Sequence, residues 1–131
     1  MSVWHGDLRK KKPSGGRKTA CRKKRRFERG SFAAETSLGS DTKRFVRGQG
    51  GNVRTRLLAA SHANISNPST GKTKRVKIDK VISNPANVDY DRRGVITRGT
   101  AIETSLGVAQ VTSRPGQDSI VNAILVPKKT K

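Results

Sequence analysis

Asp89 and Asp91 are the one carboxylate pair spaced to act as a general acid and base, because an extended strand would place both on one face. Arg92 and Arg93 follow directly and make a charged turn the simpler account. His5 and His62 stand alone, without metal-ligand spacing. Cys21 sits among Arg22, Lys23 and Lys24 with no positioned base or oxyanion donor beside it. Gly71-Lys72-Thr73 has the ending of a phosphate-binding P-loop, but Ser66 stands where that motif needs glycine, and a β pattern follows where it needs a helix. The expectation is a non-enzyme with no cofactor, no metal and no small-molecule substrate.

The remaining chemistry is cationic. The first 30 residues contain Arg9-Lys10-Lys11-Lys12, Arg17-Lys18, Arg22-Lys23-Lys24-Arg25-Arg26 and Arg29, against two acids, Asp7 and Glu28. Lysine offers phosphate a point charge, while arginine offers a planar fork that grips phosphate bidentately or stacks on a base. Trp4, His5 and Phe27 interleave these cations and are suited to stack on unpaired bases. Two further groups are Lys43, Arg44, Arg47, Arg54 and Arg56 around Gly48-Gln49-Gly50-Gly51-Asn52, and Lys72, Lys74, Arg75 and Lys77 after Asn67-Pro68-Ser69-Thr70-Gly71. If the two turns flank adjacent strands, these cations share one face.

Composition sets the bounds. The chain has 131 residues and a formal net charge of +20, with 4% aromatic residues. Charge of that size repels itself in a compact state, and polyphosphate is the partner that neutralises it with release of counterions. One cysteine permits no internal disulfide framework, in keeping with a reducing cytoplasmic setting. The longest aliphatic-rich stretch, Ile120 to Val126, is seven residues broken by Asn122, far short of the roughly 20 a membrane helix needs, so no membrane partner is expected.

Residues 1–42 read as an extended basic RNA-binding arm, because Pro13-Ser14-Gly15-Gly16 breaks any helix and the few apolar residues follow no period. A short helical turn between Thr19 and Glu28 is compatible with bound phosphates. Residues 43–127 read as a β-barrel-like body and 128–131 as a basic tail. Leu57, Ala59, Ser61, Ala63 and Ile65 alternate with their neighbours, as do Val76 and Ile78, and the sides switch at Val81, which predicts a bulge. Further strands are expected at Phe45–Arg47, Val88–Tyr90, Val95–Thr97, Ala101–Glu103, Gly107–Ser113 and Ile120–Val126. Short strands separated by polar turns predict an all-β fold, a small barrel of mostly antiparallel strands. A DNA-compacting architectural protein is the alternative; it lacks support from any recognition helix or dimerisation surface.

Trp4-His5-Gly6, Arg9-Lys10-Lys11, Pro13-Ser14-Gly15-Gly16-Arg17, Lys23-Lys24-Arg25-Arg26-Phe27-Glu28-Arg29-Gly30, Gly50-Gly51-Asn52-Val53, Arg56-Leu57 and Thr70-Gly71-Lys72-Thr73-Lys74-Arg75 together resemble the e-type small-subunit ribosomal protein eight of archaea and eukaryotes. The resemblance spans essentially the whole chain and fits the short archaeal form. Gln49 departs from it, standing where the family more often has a basic residue. The resemblance implies a structural constituent of the cytoplasmic small ribosomal subunit, with small-subunit ribosomal RNA and neighbouring ribosomal proteins as partners.

Overall fold

The computed structural model of the chain describes residues 3–4, 10–23 and 25–126. Three of the expected RNA-binding residues, His5, Arg9 and Lys24, lie outside the described residues, as do the side chain of Trp4 and the 128–131 tail. The chain divides into two units, Met1–Ala33 and Ala34–Lys131.

In the first unit, β1 (Val3–Trp4) pairs antiparallel with β2 (Arg29–Gly30). Pro13-Ser14-Gly15-Gly16 closes a tight turn in which the Gly15 N–H donates to the Lys12 carbonyl and the Lys12 N–H to the Gly16 carbonyl, each at 2.9 Å. Gly15 has φ 81, a conformation that costs a residue with a Cβ far more. The helical turn expected between Thr19 and Glu28 is confined to one 3₁₀ turn, Arg26–Glu28. Glu28 holds it by accepting from the Arg25 N–H at 2.8 Å. None of this unit's described residues is buried. With none of those residues buried, the described part of the stretch has little to offset its conformational entropy by itself.

Among the described residues the second unit has eight strands: β3 (Ser37–Leu38), β4 (Thr42–Arg47), β5 (Val53–Ala60), β6 (His62–Ser66), β7 (Thr73–Ser83), β8 (Ala101–Thr104), β9 (Gly107–Val111) and β10 (Asn122–Leu125). The first three form a sheet in the order β3-β5-β4, and the other five close a barrel in the order β10-β6-β7-β8-β9. Every barrel pairing is antiparallel except β10 with β6. The all-β barrel expected from the sequence is the fold observed.

Side-chain size explains why so few strands can close. Across the ladders Ala123 stands opposite both Ile65 and Val111, Ile102 opposite Ala109, and Ala63 opposite Val76. A small barrel's interior has room for one bulky side chain per such pair. Ile65, Ile78, Ile102, Ala109 and Val111 are at most 1% exposed and form the centre of the core.

Several local expectations are corrected. Val88–Tyr90 is not a strand but the start of helix α1 (Val88–Arg92). The Asn87 side chain caps it by accepting from the Asp89 N–H at 3.0 Å, and Asp89 and Asp91 in the first turn suit the positive end of the helix dipole. Val95–Thr97 contributes only an isolated bridge, Ile96 to Thr36. The run from Leu57 to Ile65 is two strands in two sheets. Lys43 faces Leu57 but Thr42 faces Ala59, so a register shift at Leu58 turns Ala60 inward. The bulge expected near Val81 is present as register shifts between Ile78 and Lys80 and between Val81 and Ser83. A second short helix, α2 (Pro115–Asp118), occupies the turn before β10, with Pro115 at its first position.

Buried polar groups tie the loops to the barrel. Asn84 donates to the Val95 carbonyl at 2.7 Å and accepts from the Ala86 N–H and the Thr97 hydroxyl, each at 3.0 Å. Thr36, fully buried, donates its hydroxyl to the Leu57 carbonyl at 2.8 Å.

Candidate nucleic-acid interface

The β4–β5 hairpin collects the first basic group. Its turn needs Gly50 and Gly51, whose φ angles are 68° and 78°, and Asn52 secures it by donating to the Gln49 carbonyl at 3.0 Å. Strand alternation then sorts the cations by face. Arg44 stands opposite Arg56, and Val46 opposite Arg54, so three arginines share one face. Lys43, Phe45 and Arg47 occupy the other, opposite Leu57, Thr55 and Val53.

Like charges directly opposite on neighbouring strands are destabilising. Among the described residues, none of Lys43, Arg44, Arg47, Arg54 or Arg56 forms an ion pair with a carboxylate. The Arg56 Nε is buried with no hydrogen-bond partner. A charged donor left unmet in this way is costly.

The second basic group lies on and before β7. Its turn is pinned by Asn67, whose N–H donates to the Lys72 carbonyl at 3.0 Å and whose side chain accepts from the Ser69 N–H at 3.0 Å. Lys77 pairs with His62 and Arg75 with Asn64 on the outer face of the barrel. Lys74 is on the opposite side, across from Ile65, and with Lys72, Leu106 and Leu125 it lines a cavity of about 260 Å³.

The two turns do not flank adjacent strands, since one joins β4 to β5 in the three-stranded sheet and the other joins β6 to β7 in the barrel. The groups nonetheless meet. Lys43 from the first and Arg75 from the second line one groove of about 250 Å³, together with Asp41, His62 and Asn64. In sequence Asp41 falls within the expected arm and His62 stands alone; only their spatial meeting makes them part of this surface.

Asp41 accepts from both the Ser61 N–H, at 2.7 Å, and the Ser61 hydroxyl, at 2.8 Å. These two bonds, the backbone one first, hold its carboxyl below the usual value, with smaller help from the nearby His62 and Arg75. Arg75 lies 3.5 Å away. His62 Nδ1 is 2.7 Å from the same hydroxyl. Because that hydroxyl gives its one proton to a carboxylate, His62 must donate through Nδ1. The three residue types of a hydrolase triad are present in the wrong bonding order: the aspartate takes the serine proton, and the histidine is not oriented as a base.

In the first unit, Arg22 grips Glu28 through two bonds of 2.8 and 2.6 Å. That side-chain bond is the main reason the Glu28 carboxyl lies below its ordinary range, the Arg25 N–H being second. Arg22 is thereby partly committed to a structural pair. Lys11 and Arg17 flank the glycine turn as an antiparallel bridge; Lys10, Lys12, Lys18, Lys23, Arg25, Arg26 and Arg29 sit elsewhere on this solvent-accessible segment. Phe27 is 75% exposed and Cys21 is exposed.

Asp89 and Asp91 do not form a carboxylate pair. On a helix two residues apart point to different sides. Asp89 bonds Arg93 at 3.0 Å, and Asp91 accepts from the Asn84 N–H at 3.0 Å. Among the described residues no cluster of three or more His, Cys, Asp or Glu is placed to hold a metal ion, and no helix is long and apolar enough to cross a membrane.

The family model for ribosomal protein S8e matches residues 5–126. The small ribosomal subunit protein eS8 of Ignicoccus hospitalis is 47% identical over 132 residues, covering 98% of this chain and all of the relative. That of Methanosphaerula palustris is 48% identical over 124 residues, covering 95% of this chain and 98% of the relative.

Proposed function

The chain belongs to the ribosomal protein S8e family, and from that premise we propose that it is a non-catalytic constituent of the cytoplasmic small ribosomal subunit that binds and stabilises folded ribosomal RNA. The observation that carries the RNA-binding mechanism is the arginine face of the β4–β5 hairpin, where Arg44 opposes Arg56 with no protein carboxylate to neutralise either among the described residues. Clustered phosphates supply the missing charge. The groove that joins Lys43 and Arg75 extends the basic surface from hairpin to barrel.

The first unit, none of whose described residues is buried, acts in the same way. Its cations enter a place where phosphates crowd, relieve their repulsion and order themselves in doing so. Coupled ordering of such a segment costs about 2–5 kcal/mol, offset by the attraction of its cations for those phosphates. Neighbouring ribosomal proteins complete the setting.

Binding of the protein to small-subunit ribosomal RNA, measured across a salt titration with duplex DNA as competitor, tests the reading. With about 6–10 phosphates neutralised, affinity falls by about 10³–10⁵ between 50 and 200 mM salt. Folded RNA outcompetes duplex DNA at matched salt. Equal affinity for both, or indifference to RNA at low salt, overturns it.

A further inference from the structure

The face of the β4–β5 hairpin opposite the arginines carries an aromatic ring that the charge argument leaves unused. Phe45 is 70% exposed and Val53, two rungs further toward the tip, is 62% exposed. Toward the core the same face ends at Leu57, 4% exposed. The apolar stripe that begins in the core therefore continues past it into solvent.

A bare ring on a strand invites an occupant, and the flanking charges select which. Lys43 and Arg47 lie two residues to either side of Phe45 on the same face, each about 7 Å away along the strand. No acid stands on this face of the hairpin, and neither cation has a carboxylate partner among the described residues. An apolar protein surface docking here would bury two unpaired cations. A nucleotide would bring a flat π-face to the ring and a phosphate to each side of it.

We propose that Phe45 is a stacking platform for an unpaired base of RNA, with Lys43 and Arg47 holding the phosphates that flank it. The proposal rests on the RNA-binding reading above and names the kind of RNA that this face takes, a single-stranded nucleotide rather than a helix. Lys43 also lines the groove with His62, Asn64, Arg75 and Asp41, the last paired with Arg75 at 3.5 Å, so a strand stacked on Phe45 meets cations of both hairpin and barrel along one groove. The two faces of the hairpin then do different work: arginines grip backbone on one side, and the ring holds a base on the other.

Phe45→Leu keeps an apolar side chain and removes the π-face. Its affinity for small-subunit ribosomal RNA is expected to fall by about 5- to 150-fold, with the slope of log affinity against log salt unchanged. Its melting temperature stays at the parent value, because the side chain is exposed. Phe45→Trp keeps a π-face and retains the affinity, and the emission it adds to that of Trp4 is read as the difference from the parent. Its emission is quenched by single-stranded oligonucleotide and not by duplex of the same length. If Phe45→Leu binds as the parent does while the parent binds RNA with the expected salt dependence, stacking is wrong and the broader reading survives. If the parent itself ignores RNA, the broader reading fails first.

Discussion

Arg44 and Arg56 face each other across the β4–β5 pairing, two guanidinium groups on the same side of a hairpin that projects beyond the core. The arrangement is unfavourable in the free protein and useful against phosphate, so a single substitution should move stability and affinity in opposite directions. Arg44→Glu replaces a like pair by an opposite one. It is expected to stabilise the isolated protein by about 0.2–1 kcal/mol. RNA affinity drops in the same variant. Thermal melting and filter binding on one preparation measure both, and a variant that loses stability would contradict the account.

Arg54 sits beside this pair, opposite Val46, with no carboxylate partner among the described residues. Arg54→Ala is expected to weaken binding to all RNA sequences alike and to reduce the salt slope by about one. A sequence-selective loss would mean that the guanidinium reads a base edge instead.

Asp41 gives a pH signature. Its folded pKa is depressed below the ordinary 3.8 by the two Ser61 bonds. The stability it adds is therefore complete above pH 3.8 and is lost as pH falls through the lower folded value. Asp41→Asn is expected to cost about 1 kcal/mol at pH 7, a modest figure because the group is partly exposed. The gap to the parent should close in acid, where the parent's carboxyl is itself protonated. Urea melts of both proteins on either side of that range check the sign.

Ala123 stands between Ile65 and Val111, and is 2% exposed. Ala123→Leu adds three carbons where both neighbours already fill the barrel. The expected loss is about 1–3 kcal/mol or more, visible as a lower urea midpoint with the slope preserved. Leu in place of Ile124, which is 45% exposed on the same strand, should be nearly neutral and serves as the control.

Much of this architecture could be read from residue order, and the misses have physical causes. Polar turns between short alternating runs predicted the β class, and the change of side after Ile78 predicted the bulges in β7. Helix α1 escaped because Val88 and Tyr90 alternate like a strand, although Asn87 followed by Asp89 is a capping signal that favours a helix. The division of Leu57–Ile65 between two sheets falls at Ser61, which Asp41 holds from 20 residues away in sequence, a contact that no local pattern contains. The basic groups were legible as charge, but their meeting at Lys43 and Arg75 required the fold. Phe45 escaped for a similar reason. An aromatic residue in an alternating strand reads as inward, and only the register shows that the core ends at Leu57.

The parallel pairing of β10 with β6 sets a condition on how the chain acquires its shape during synthesis. Four strands of the barrel are translated before Asn122, yet the gap between β6 and β9 is filled only by residues that come after it. Until Leu125 has left the exit tunnel of the translating ribosome, the nascent molecule exposes two open strand edges and an unsealed interior.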